Sequence, residues 1–204
     1  MLGDLWSFQG RYRTLHLTWI AFFLTFVVWF NLAPLATTVK ADLGLTVGQI
    51  RTVAICNVAL TIPARVLIGM LLDKFGPRIT YSSILVFSAI PCLLFASAQD
   101  FNQLVVARLL LSIVGAGFVI GIRMVAEWFP PKEIGLAEGI YGGWGNFGSA
   151  FSALTMVALA GFLSFSGGFE LPTGAVLNWR GAIALTGIVS AVYGLFYFFN
   201  VTDP

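Results

Sequence analysis

The chain has 204 residues, 58% of them hydrophobic and only 10% charged, with a formal net charge of +2. A soluble domain carries roughly 25% charged residues, so this composition excludes an ordinary water-soluble globule. So small a positive excess also points away from nucleic acid as a partner.

Six apolar stretches, each about 20 residues or longer, can cross a hydrocarbon core of ~30 Å. They predict an all-α membrane protein, multi-pass in the cell membrane, with spans at roughly 15–39, 46–72, 79–98, 103–126, 137–165 and 179–200. The connecting loops (KADLGLTVGQ, DKFGPR, SAQDFNQ, FPPKEIG and SFSGGFELPTGAVLN) are too short to hold a soluble domain. The opening MLGDLWSFQGRYRTL lacks the apolar centre and cleavage site of a signal peptide, so the first run is expected to stay as a helix.

The first span is rich in aromatics: Phe22, Phe23, Phe26, Trp29 and Phe30. The second carries a charge, Arg65, at its middle. A charge at bilayer depth costs from about 2.5 to more than 10 kcal/mol, so it faces a bundle interior or a wet cavity. Asn57, Thr61, Arg65 and Gly69 recur every four residues and predict one polar stripe. Pro63, without an N–H and clashing one turn back, is expected to loosen the helix beside it. No carboxylate is available at the depth of Arg65. Asp73, Glu127, Glu133 and Glu138 lie near one edge, and Asp42, Asp100 and Glu170 near the other. An unpaired guanidinium in that position is a receptor for an anion.

Between the second and third spans, Gly69 allows close helix approach, Asp73 can pair with nearby cations, and Gly76–Pro77 enforces a tight turn before Arg78. The fourth span opens near Arg108. In the fifth, GIYGGWGNFGSAF, a helical wheel puts Asn146 on one face with Gly139, Gly142, Gly143 and Ala150, all lacking bulk. Gly145 and Gly148 point elsewhere and predict close helix packing there. Cys56 and Cys92 both fall within spans, where a thiol packs as a small hydrophobe rather than forming a disulfide or metal site.

With the N-terminus inside, Arg11, Arg13, Lys74, Arg78, Arg123 and Lys132 fall on the cytoplasmic side, and Lys40, Arg51 and Arg180 outside. Six against three is the positive-inside bias, and six spans return the C-terminus to the same side. The N-V-T triplet at Asn200 then lies inside and is no glycosylation site.

Gly69, Asp73, Gly76 and Arg78 in GMLLDKFGPR match the G-x-x-x-D-x-x-G-x-R loop of the major facilitator superfamily, which the chain resembles. Arg108 fits the arginine near the start of that superfamily's fourth helix. GIYGGWGNFGSAF is similar to the glycine-rich signature of its nitrate/nitrite porter family, with a G-W-G-N-x-G core. FFLTFVVWFNLAPLATTVKADLGLT resembles that family's first helix and following loop, and IPARVLIGMLLDKFGPR its second helix.

The resemblance covers nearly the whole chain. It implies the N-terminal six-helix half of an alternating-access anion porter, with a site near the midplane between two halves and a second arginine supplied by the other half. Nitrate is flat, singly charged and weakly hydrated, and a planar guanidinium offers it two parallel N–H donors. The amide of Asn146 can donate to a third oxygen. The resemblance implies that a first-helix aromatic helps line the site, and Phe26 has the matching depth. No cofactor or metal is expected.

The chain ends at VTDP after six spans, where the connection between halves would begin, and is expected to be a fragment, a truncated gene product or a half-size subunit that dimerises. Alone, it is expected not to transport nitrate. Three rivals stand beside this reading. A porter of another small anion, such as formate or oxalate, would also use a mid-span arginine, though the G-W-G-N-F-G run favours nitrate. A non-transporting half-size partner subunit is a second. An intramembrane enzyme is the third, disfavoured by a single histidine, His16, at the membrane edge and by the lack of H-E-x-x-H or G-x-S-x-G.

Overall fold

The computed structural model describes residues 7–203. Residues 1–6, part of the segment read as uncleaved, and Pro204 lie outside the described residues. The first predicted span is α1 (Gly10–Phe30), a 3₁₀ turn at Ala33–Leu35 and α2 (Ala36–Asp42). The second is α3 (Val47–Ala59) and the first part of α4 (Thr61–Phe87); the third is the rest of α4 and α5 (Ala89–Ser97). The fourth is α6 (Phe101–Ser112), a 3₁₀ turn at Ile113–Ala116, and α7 (Gly117–Trp128). The fifth and sixth are α8 (Pro131–Phe162) and α9 (Trp179–Asn200).

Two of the helix breaks fall where proline dictates. Proline removes the hydrogen bond to the carbonyl four residues earlier and clashes with it. The residue four before Pro63 is Ala59, where α3 stops, and four before Pro91 is Phe87, where α4 stops. Gly76 divides α4 with a backbone (φ 78, ψ 167) in the region glycine alone enters freely. Thr46 and Gln49 start α3 with a reciprocal capping box. Two features escaped the hydropathy reading. The loop before α9 contains a short antiparallel hairpin, β1 (Phe169–Glu170) with β2 (Val176–Leu177). Helix α8 begins at Pro131 rather than 137, because proline is accepted in a first helical turn and the charges of that turn erase the apolar signal.

The bundle is organised by close backbone contacts. Helix α8 lies along α1, burying Ala137, Tyr141, Gly145, Gly148, Ser152, Met156 and Ala160. A Cβ on Gly145 would sit 1.6 Å from Phe22 Cδ1, and one on Gly148 would sit 2.2 Å from the Phe23 carbonyl oxygen. The packing expected of these two glycines is therefore present. Helix α9 packs on α4 and α5, with Gly187 against Cys92 and Gly194 against Leu85. Both cysteines are free, and Cys92 is a buried packing residue as expected.

Charges gather at the two ends. At the Gly76 end, Asp73 pairs with Arg123, which also holds Glu127 at 2.7 Å, and Arg11 pairs with Glu133 at 2.9 Å. Asp203 accepts a 2.8 Å bond from the Arg78 backbone N–H, capping the helix that follows Gly76, a residue with no side chain to cap it. At the opposite end Asp42 accepts from Trp179 Nε1 at 2.9 Å, and Arg180 donates to the carbonyls of Ala96 and Ala98.

Candidate functional site

Arg65 stands one residue beyond the buried line of α4, which is Thr61, Ala64, Ile68 and Leu72. At 100° per residue its side chain leaves the core of this bundle, and it is exposed. Among the described residues it has no hydrogen-bond or ion-pair partner. The expectation that this guanidinium sits inside this set of helices is not met: its outer face is open.

The predicted polar stripe divides. Residues four apart advance about 40° around a helix at each step, and the chain is interrupted at Leu60 between α3 and α4. Asn57 and Thr61 therefore turn inward while Arg65 turns out. Asn57 Nδ2 donates to the Trp29 carbonyl at 2.8 Å, and Thr61 Oγ1 to the Ser112 carbonyl at 3.3 Å. Both are joints between helices.

Asn146 is exposed on α8, and no atom lies within 4 Å of a Cβ built on Gly139, Gly142 or Gly143. The smooth strip read from the wheel is thus an open surface. Asn146 Nδ2 donates 2.7 Å back to the Gly142 carbonyl, an i−4 bond that leaves one amide hydrogen for any other acceptor. Phe26 is half buried, with ring contacts to Phe22, Trp29 and Phe30. Its Cβ lies 3.1 Å from where a Gly148 Cβ would be, so Phe26 meets the helix bearing Asn146. No hydrogen bond, ion pair or ring contact joins Arg65 to either of them among the described residues. The three residues stand on α4, α8 and α1.

Sequence reading noted Arg108 in the fourth span but missed the buried cationic centre that it forms. Arg108 is completely buried and bonded to Asn31 and Asn57. Asn31 gave one faint signal, an amide just before Pro34 in an apolar run. Glu138 is half buried on α8, with no bonding partner among the described residues.

A helical bundle with a divided hairpin helix at Gly76, an Asp73–Arg123 pair across it and an unpaired arginine in the preceding span is the build of a secondary transporter half. The profile of the Major Facilitator Superfamily matches residues 18–204, and the chain belongs to that superfamily. It is similar to the nitrate/nitrite transporter NrtP of Picosynechococcus sp., 62% identical over 100% of this chain and 41% of that protein. NrtP of Nostoc punctiforme is 61% identical over 100% of the chain and 39% of its own length. A probable nitrate/nitrite antiporter of Thermus thermophilus is 31% identical over 93% of the chain and 42% of its own length. The chain thus spans about two fifths of the length of these relatives and corresponds to their N-terminal portion. Its fold matches the crystal structure of a bacterial homolog of the human lysosomal transporter Spinster in an inward-facing, occupied conformation, with a TM-score of 0.77 at 20% identity, covering 95% of this chain and 45% of that one.

Proposed function

We propose that this chain is the N-terminal six-helix half of an alternating-access nitrate/nitrite porter, with both termini on the cytoplasmic side of the cell membrane, and that Arg65 receives the anion. The observation that carries this reading is the exposed, unpartnered guanidinium in the middle of a span. Turned to lipid, such a charge would be costly, whereas facing a wet cleft against a second half it is an anion receptor. The names of the NrtP relatives support nitrate and nitrite as the substrates.

Arg65 gives the flat anion two parallel donors, the free amide hydrogen of Asn146 reaches a further oxygen, and Phe26 walls one side. The partner half supplies a second arginine facing Arg65 across the anion and comes from further sequence or from a second copy. Rocking of the halves exposes Arg65 to each side in turn.

Purified alone and reconstituted in proteoliposomes, the 204 residues are expected to give no saturable uptake of labelled nitrate. Saturable uptake by that polypeptide as a monomer would overturn the half-site arrangement. In the gene expressed at its natural length, excess nitrite is expected to compete with labelled nitrate and excess formate or oxalate is not. Equal competition by those acids would replace nitrate with a carboxylate.

A further inference from the structure

Anion reception leaves one buried cation unexplained. Arg108, on α6, has no exposed surface, and its partners include no carboxylate among the described residues. Its guanidinium donates to Asn57 Oδ1 at 3.1 Å and to Asn31 Oδ1 at 2.8 Å, and lies 4.4 Å from the centre of the Phe95 ring. Both asparagines then spend their amide nitrogens on other helices. Asn31 donates to Thr186 Oγ1 at 3.0 Å, and Asn57 donates to the Trp29 carbonyl at 2.8 Å. Trp29 answers with a 2.7 Å bond from its indole N–H to the Asn57 carbonyl.

These bonds converge where the first span is interrupted. Asn31 follows the last residue of α1, and Pro34 in the next turn has no N–H to restore the ladder. The Trp29 indole is laid against Gly115, where a Cβ would come within 2.7 Å of the ring. Its other ring neighbours are Phe26 at 5.3 Å and Phe30 at 4.9 Å. Arg108 thus sets Asn57, Asn57 sets Trp29, and Trp29 sets the aromatic group that includes Phe26.

We propose that Arg108 is a positioning residue for anion transport: its two-pronged hold on Asn31 and Asn57 fixes the interruption of the first span, and with it the wall formed by Phe26, Trp29 and Phe30. This rests on the reading of Arg65 as the anion receptor. A merely structural arginine would govern how much protein folds, while a positioning one governs the affinity of the protein that does fold.

Lysine keeps the charge of Arg108 but donates from a single atom, so it cannot grip two amide oxygens in the fork geometry. Asn57→Asp keeps an acceptor for Arg108, gains a negative charge beside it and loses the donor to the Trp29 carbonyl. Both variants are tested in membranes, in the gene expressed at its natural length, with uptake normalised to the transporter present. Each is expected to raise the nitrate KM by about tenfold. An unchanged KM, with only the amount of protein reduced, overturns the proposal for either variant that reaches the membrane. If R108K does not insert, N57D decides. A parallel R65K separates the two levels. Should R65K leave uptake intact, the anion reading has failed; should R65K lower uptake at least tenfold while R108K and N57D leave KM unmoved, only the positioning role falls.

Discussion

Exchanging Arg65 for lysine is expected to lower nitrate uptake at subsaturating concentration by roughly 10- to 100-fold. The lysine ammonium keeps the charge and loses the second parallel donor to the planar anion. A hydrogen bond to a charged group contributes about 1.5–3 kcal/mol, and every 1.4 kcal/mol is about a factor of ten. Arg65→Gln, which removes the charge as well, is expected to leave no measurable uptake. Neither change should disturb folding of this half, because Arg65 has no partner among the described residues to orphan. The comparison is made by initial rates of labelled nitrate uptake in cells carrying the gene at its natural length, normalised to membrane-inserted protein. Uptake by R65K within threefold of the parent would show that the guanidinium does not hold the anion.

The second large effect is on stability and separates two kinds of glycine within one signature. Gly148→Ala drives a methyl to 2.2 Å from the Phe23 backbone oxygen, which has no rotamer to escape by. The helices must part, and overpacking of that sort costs about 1–3 kcal/mol. Gly145→Ala meets the Phe22 ring at 1.6 Å, and that ring is itself held by Tyr141 and Phe118. Gly142→Ala meets nothing within 4 Å and removes a weak helix former, a gain of up to about 1 kcal/mol. Thermal unfolding of the purified chain in detergent should therefore rank G142A at or above the parent and G145A and G148A well below it. Equal melting temperatures for G142A and G148A would mean that α1 and α8 do not meet at Gly148.

Much of the fold was legible because the membrane simplifies the reading. Spans follow from length and apolarity, an internal break follows from Pro63, and the turn between two spans follows from Gly76. Helical angle alone separated Gly145 and Gly148, where close packing was expected, from the face that Gly142 shares with Asn146. The site was less legible, because hydrogen-bond partners are not written in periodicity. Asn57 and Arg65 look equivalent at four-residue spacing, yet a drift of about 40° per step and the break at Leu60 send them to opposite environments. Arg108 and Asn31 meet only after four further helices have packed, so neither predicts the other in sequence. The back-bond from Asn146 to the Gly142 carbonyl is local, but it competes with other partners that the sequence cannot rank.

Water access to the position of Arg65 is the decisive property. It is read by placing R65C in a background lacking Cys56 and Cys92, in the gene expressed at its natural length, and treating membranes with a charged, lipid-insoluble thiosulfonate. Rapid modification is expected, since a thiolate forms and reacts only where the position lines a wet cleft. Resistance to that reagent, together with ready labelling by an uncharged, lipid-soluble maleimide, would put this side chain against acyl chains and contradict its role as the anion receptor.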